Sequence, residues 1–184
     1  MRLLFIGPPG AGKGTQASQV AERLGIPHVS TGDMFRHHVS NDTDLGRKVN
    51  AIMEAGDYVP DEVTTAMLSE RIAQDDARAG YILDGFPRTL AQVESLDDLI
   101  GADGLSRVVV FDVNEDELTE RMLSRGRADD TAETIHNRFQ VYTDQTQPLI
   151  DVYDDRGLIM TVNGMGDMDE ITDRIVDRLE EPIP

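Results

Sequence analysis

The chain has 184 residues, no cysteine and a formal charge of -18, which supports one main domain with small mobile inserts and leaves no room for two independent ones. The charge argues against a general affinity for nucleic acid or anionic membrane, both of which need a basic surface, so any phosphate ligand must be caught by local chemistry. Without cysteine there is neither a disulfide framework nor a thiolate zinc site. The acidic excess has two readings, a solvated surface or an adaptation to high salt.

In chain order, "RLLFI" (2–6) reads as a buried strand. Its apolar run, Leu3 to Ile6, is too short for a signal peptide or a membrane span, and the expectation is a soluble, cytoplasmic protein. "KGTQASQVAERLG" (13–25) sets Ala17, Val20, Ala21 and Leu24 at helical spacing before a terminating glycine. "HVS" (28–30), "GYILDG" (80–85), "RVVVFDV" (107–113) and "GLIMTV" (157–162) are further strands. None contains proline, and all but the first pair are candidates for the centre of the sheet. Helices are expected over 32–39, 44–55, 61–74, 90–100, 115–125, 131–154 and 167–180. Asp130 and Glu133 form a capping box opening the long one. Strand and helix alternate as in a three-layer α/β sandwich, a five-stranded parallel sheet flanked by helices, with ligands at the carboxyl ends of the strands.

Four stretches carry chemistry. "GPPGAGKGTQ" (7–16) follows a strand and opens a helix, the context a P-loop requires. Gly7, Gly10, Gly12 and Gly14 let the backbone approach phosphate oxygens, and the helix N-terminus adds positive potential. Lys13 then reaches the outer phosphates as a point charge. Lys13 and Lys48 are the only lysines among 17 basic residues, so a ligand-free glycine turn would leave Lys13 unexplained. The pattern G-x-x-x-x-G-K-[ST] is broken at one place: Gly14 stands where a hydroxyl is expected, and Thr15 supplies it one residue late.

"HVSTGDMFR" (28–36) repeats this logic, with Ser30, Thr31 and Gly32 in a polar turn, Asp33 at a helix start and Arg36 one turn on. Alone it would read as a capped surface helix. "ILDGFPRTLAQ" (82–92) ends a strand on Asp84, where P-loop enzymes carry a second metal-coordinating group, followed by Gly85, Pro87 and Arg88. "ERMLSRGRADDTAETIHNRF" (120–139) brings Arg121, Arg125, Arg127 and Arg138 toward a common point, as phosphoryl transfer needs. Its alternative is an ordinary ionic network with Asp129, Asp130 and Glu133. His37, His38 and His136 are read as surface or helix-packing residues, since one histidine makes no metal site.

Together "GPPGAGKGTQ", "STGDMFR" and "DGFPRT", with the arginine-flanked loop and "YTDQTQPLIDVY" (142–153), closely resemble the adenylate kinases over essentially the whole chain. That family's loop normally reads GKGT, so Gly14 is its expected residue. The resemblance implies Mg²⁺-dependent transfer, ATP + AMP ⇌ 2 ADP, by a transferase serving nucleotide biosynthesis, with a nucleoside monophosphate kinase of UMP/CMP type as the alternative. A nucleotide-binding regulatory protein would lack Arg88 or the lid arginines.

By the family pattern Gly10, Ala11, Gly12, Lys13, Gly14 and Thr15 hold the ATP phosphates, Arg121 packs on the ATP adenine and Gly166 lies near its edge, with Arg125 also on the ATP side. Thr31, Arg36, the stretch Asp57, Tyr58 and Val59, then Gly85, Phe86, Pro87, Arg88 and Gln92, with Arg127 and Arg138, form the AMP site. Lys13, Arg88, Arg125, Arg127 and Arg138 are the catalytic set. Thr15 and Asp84, with Asp33, hold magnesium largely through water. Thr31 and Gln92 favour AMP, because a side-chain amide suits the adenine edge. The implied division is a core over 1–29, 60–125 and 133–184, an AMP-binding insert over 30–59 and a short lid over 126–132. Ten residues separate Arg127 from Arg138 and there is no cysteine, so no structural zinc is expected. No nucleic-acid or membrane partner is expected, and the chain is read as a monomer.

Overall fold

Arg2–Ile6 forms β1 at the centre of a parallel sheet, and its side chains alternate between two cores. The computed structural model of the chain describes residues 1–101, 104–127 and 130–181; the side chains of Glu115, Asp116 and Arg125 also lie outside the described set. After β1 come α1 (Lys13–Leu24), β2 (His28–Ser30), α2 (Thr31–Ser40), α3 (Asp44–Ala55), α4 (Asp61–Ile72) and β3 (Tyr81–Asp84). Then follow α5 (Leu90–Ile100), β4 (Arg107–Asp112), α6 (Glu115–Arg125), α7 (Ala132–Val141), α8 (Leu149–Asp155), β5 (Ile159–Asn163) and α9 (Met168–Glu180).

The five strands lie in the order β2-β3-β1-β4-β5, all parallel. Leu3 and Phe5 face a core shared with α1 and α9; Leu4 and Ile6 face one shared with α4, α5 and α8. A strand covered on both faces has to be apolar at every position, which is why this segment shows no alternation in sequence. Leu3 and Leu4 are fully buried, each worth about 1.5–3 kcal/mol of transfer free energy. A third, smaller cluster of Phe35, Val49, Val59 and Met67 ties α2 and α3 to α4.

Three expectations change. The centre of the sheet is β1, while β5 lies at an edge; freedom from proline permits a central strand but does not select one, and the P-loop crossover puts β1 there. The stretch 131–154 is not one helix: α7 widens into a π-helical turn, Tyr142–Thr146, and α8 restarts at Leu149. Pro148 lacks the N–H that would continue an α-helical ladder, so the chain widens before it. The cap of α7 is Thr131, whose Oγ1 accepts from Thr134 N at 3.1 Å. Asp130 instead accepts from Arg138 Nη1 at 2.8 Å.

Candidate active site

β1 and β3 are neighbours, with Phe5 opposite Asp84. The register delivers the loop after β1 and the carboxylate ending β3 to one crevice at the carboxyl edge of the sheet, where open α/β sheets bind ligands. A cavity of about 820 Å³ opens there. On one side it is lined by Gly10, Ala11, Gly12, Lys13, Gly14 and Thr15, with Arg121 and Gly166 beyond. On the other it is lined by Thr31, Asp33, Arg36, Asp57, Tyr58, Val59, Asp84, Gly85, Pro87, Arg88 and Gln92, and Arg127 and Arg138 close it.

In the loop, Gly10 (φ 83°) and Gly12 (φ 85°) take left-handed backbone, and Gly12 is the residue before α1. A Cβ on Gly10 would meet the Leu118 carbonyl oxygen at 2.7 Å. Gly10 therefore serves the packing of the loop on α6 as well as its turn. Lys13 Nζ donates to the carbonyls of Gly7 (2.7 Å) and Pro8 (2.9 Å), holding its charge over the loop. The start of α1 lies at this loop, and the N–H groups of a helix's first turn have no partner within the helix, the arrangement that attracts phosphate.

Asp84 is largely buried, its side chain 13% exposed, which alone would raise its pKa. A hydrogen bond from His28, whose Nε2 lies 3.3 Å from Oδ2, outweighs this together with the charges of Lys13, His28 and Arg88, and the pKa is lowered. The carboxylate therefore stays ionised well below neutral pH. At Asp33 partial burial again pushes up, but the Arg36 guanidinium, the Ser30 hydroxyl and Arg127 push down harder, and the pKa falls. Arg36 pairs directly with Asp33.

Arg88 is held from three sides. Its Nε donates to the Gly85 carbonyl at 2.8 Å, its guanidinium carbon lies 4.8 Å from the centre of the Tyr58 ring, and its own carbonyl accepts from Thr146 Oγ1 at 2.9 Å. Tyr58 and Thr146 share a hydroxyl contact of 2.8 Å. Arg121 Nη2 reaches Glu117 Oε2 at 3.2 Å and Met165 Sδ at 3.5 Å. The cluster thus joins both sequence readings, since Arg138 is both ion-paired to Asp130 and facing the cavity.

Among the described residues, one sequence-derived site residue does not join this lining. Phe86 turns away, its ring fully buried in the core beneath the loop. The side chain of Arg125 lies outside the described residues, though its backbone closes α6. Sequence reasoning in turn missed His28 and Thr146, both in the lining, and named Tyr58 without its ring contact to Arg88. Their parts depend on pairing between distant segments, for which a single sequence holds no local signal.

The adenylate kinase family profile matches residues 5–158. Three curated proteins named adenylate kinase are similar over nearly the whole chain. That of Leifsonia xyli subsp. xyli is 50% identical, covering 97% of this chain and 93% of its own. That of Clavibacter michiganensis subsp. michiganensis is 51% identical, covering 95% and 90%. That of Mycobacterium sp. (strain MCS) is 50% identical, covering 97% and 99%. With the P-loop, the acid at the end of β3 and the arginine-rich cleft on one sheet edge, these matches establish that the chain belongs to the adenylate kinase family.

Proposed function

We infer that the chain is a phosphotransferase that moves the γ-phosphoryl group of ATP to AMP, giving two ADP, and runs equally in reverse. The observation that carries this is one shared cavity, lined by the P-loop and by the start of α2 from Thr31 to Arg36, with five arginines among the described residues of its lining, Arg36, Arg88, Arg121, Arg127 and Arg138. An ATP-binding switch has no use for a second anion site aimed at the first. A transferase needs both, because acceptor and donor have to be held in line for direct transfer. The UMP/CMP-type alternative is not favoured, since the relatives matched over nearly the full chain bear the adenylate kinase name.

We assign ATP to the side formed by Gly10–Thr15, Arg121 and Gly166, and AMP to the side formed by Thr31, Arg36, Asp57–Val59, Gly85, Arg88 and Gln92. The AMP phosphate is already an anionic nucleophile, so no side-chain base is required. Lys13, Arg88, Arg127 and Arg138, with Arg125, neutralise charge as it spreads over the equatorial oxygens in transfer. Closing segments exclude water, which would otherwise divert the phosphoryl group to hydrolysis. Residues 30–59 are the segment proposed to close over AMP, and 126–132 over ATP.

Magnesium is the proposed cofactor, brought with ATP. The donors fit a hard cation: the Thr15 hydroxyl and Asp84 carboxylate are oxygens, and Asp84 is kept ionised by its surroundings. Among the described residues there is no group of three His, Cys, Asp or Glu side chains that could hold a metal. The ion would accordingly rest on phosphate oxygens and water oriented by Asp84 and Thr15. Asp33, paired with Arg36, would act only through water. When bound, the ion supplies charge neutralisation at the ATP phosphates. We also propose a cytoplasmic monomer, in keeping with a cysteine-free chain.

The test is ADP formation from ATP with AMP, UMP, CMP and GMP in turn, in a coupled assay with and without Mg²⁺. AMP is expected to be the preferred acceptor, with turnover dependent on the metal. Lys13→Ala is expected to lower kcat by about a hundredfold or more. Equal use of UMP would overturn the AMP assignment, and near wild-type turnover by the Lys13 variant would overturn the loop's role.

A further inference from the structure

Gln92 is buried at the cavity wall, and both ends of its amide are committed. Its Oε1 accepts from the Arg88 backbone N–H at 2.7 Å, and its Nε2 donates to Asp61 Oδ1 at 2.6 Å. The other carboxylate oxygen of Asp61 accepts from Thr89 Oγ1 at 2.9 Å. That hydroxyl in turn caps α5 by accepting from Gln92 N at 3.2 Å. An ionised carboxylate only accepts and a backbone N–H only donates, so the amide has one permitted orientation. Turning it over would set oxygen against oxygen at Asp61 and N–H against N–H at Arg88, leaving buried polar groups unpaired.

An amide held this way keeps one spare lone pair on Oε1 and one spare hydrogen on Nε2, in a fixed order along the cavity wall. A 6-aminopurine presents the complement, an exocyclic N–H beside a ring-nitrogen acceptor. A 6-oxopurine presents the reverse on its Watson–Crick edge, an oxygen acceptor beside a ring N–H. With the monophosphate fixed at Arg36 and Arg88, the base cannot turn round to suit. A freely rotating Gln92 would satisfy either base, whereas a locked one satisfies only the first.

We propose that Asp61 is a specificity-determining positioning residue: by fixing, together with the Arg88 backbone N–H, the orientation of the Gln92 amide, it makes the acceptor site select adenine over 6-oxopurine monophosphates. This rests on the assignment of AMP to the Gln92 side of the cleft. Asp61 itself touches no substrate in this scheme. It lies on the first turn of α4, and it links the segment after the 30–59 insert to the loop that carries Arg88.

The test compares kcat/KM for AMP and for IMP, which differ at the 6-position and the adjoining ring nitrogen, in wild type, Asp61→Asn and Gln92→Ala, with ATP as donor. Asparagine is nearly isosteric with aspartate and tolerates either amide orientation; Asp61→Ser serves the same purpose should Asp61→Asn not fold. The expected result is a fall of about tenfold in the AMP/IMP ratio for the Asp61 variant, with the KM for ATP and the thermal midpoint close to wild type. A loss of overall turnover with the ratio preserved would mark Asp61 as merely structural and overturn the proposal. A ratio that falls in Gln92→Ala but not in the Asp61 variants would leave AMP recognition intact and overturn only this inference. A ratio near unity in the wild type would overturn the inference together with the AMP assignment.

Discussion

At the scale of single residues, the site works by immobilising cations that would otherwise swing freely. Arginine loses about 2 kcal/mol of rotamer freedom when fixed, and in Arg88 that cost is met before substrate arrives, by the Gly85 carbonyl on one side and the Tyr58 ring on the other. A cation over an aromatic face is worth about 0.5–2 kcal/mol according to its desolvation. Tyr58→Leu should therefore lower kcat/KM for AMP by roughly three- to thirtyfold, with the KM for ATP unaltered. Tyr58→Phe, which keeps the ring and loses only the contact with Thr146, should stay much nearer wild type. Steady-state kinetics with AMP varied checks both, and equal effects of the two changes would show that the hydroxyl, not the ring, does the holding. Beyond Arg88 and the naming of Tyr58 in the AMP-site stretch, none of this was legible in the sequence. Tyr58 and Thr146 are distant in the chain, and the hydroxyl pair that joins them exists only because the π-helical turn carries Thr146 back over the Arg88 loop. The P-loop, Asp84 and Arg88 were legible because each is a strand end followed by a turn whose residue types have one chemical use.

At the scale of elements, the α2–α3 pair owes its shape to a close helix crossing. A Cβ built on Gly46, in the first turn of α3, would lie 2.1 Å from the His38 carbonyl oxygen and 2.7 Å from Val39 N. These are backbone atoms of α2, so no side-chain rotation relieves the clash. Gly46→Ala should force the two helices apart at a cost of about 1–3 kcal/mol, typical of overpacking, seen as a lower thermal midpoint. Because Phe35 and Val49 pack in the same small cluster, the KM for AMP should rise in the same variant while that for ATP holds. A midpoint equal to wild type would show that the helices have slack. A glycine inside a helical pattern is a known signal of close approach, but the sequence names neither the partner nor the distance. The same limit explains the helix misread over 131–154. No apolar residue marks a period from Thr143 to Gln147, and the tertiary bonds of Thr146, with Pro148 just beyond, decide that the turn widens there.

At the scale of the whole molecule, the charges are unevenly shared between cleft and surface. Of 17 basic residues against 35 acidic ones, five arginines and Lys13 line the cavity. The surface is left with a large negative excess. Exposed pairs such as Arg156–Asp97 at 2.8 Å and Arg71–Asp76 at 2.8 Å recover about 0–1 kcal/mol each in water, too little to offset the mutual repulsion of a formal charge of -18. Salt shortens the reach of that repulsion, from about 30 Å at 0.01 M to about 3 Å at 1 M ionic strength. The folded state, being more compact than the unfolded chain, gains more from this screening. The thermal midpoint should thus rise between about 10 mM and about 1 M NaCl, by about 2–8 °C if 1–2 kcal/mol of repulsion is relieved. Circular dichroism melts at fixed pH measure this directly. In the cleft the same screening acts in the opposite sense, weakening the hold of the arginines on nucleotide phosphates, so KM for both nucleotides should climb over the same range. A midpoint that stays level while KM climbs would identify the acidic surface as a solvated coat without net self-repulsion, and would remove high-salt adaptation as its explanation.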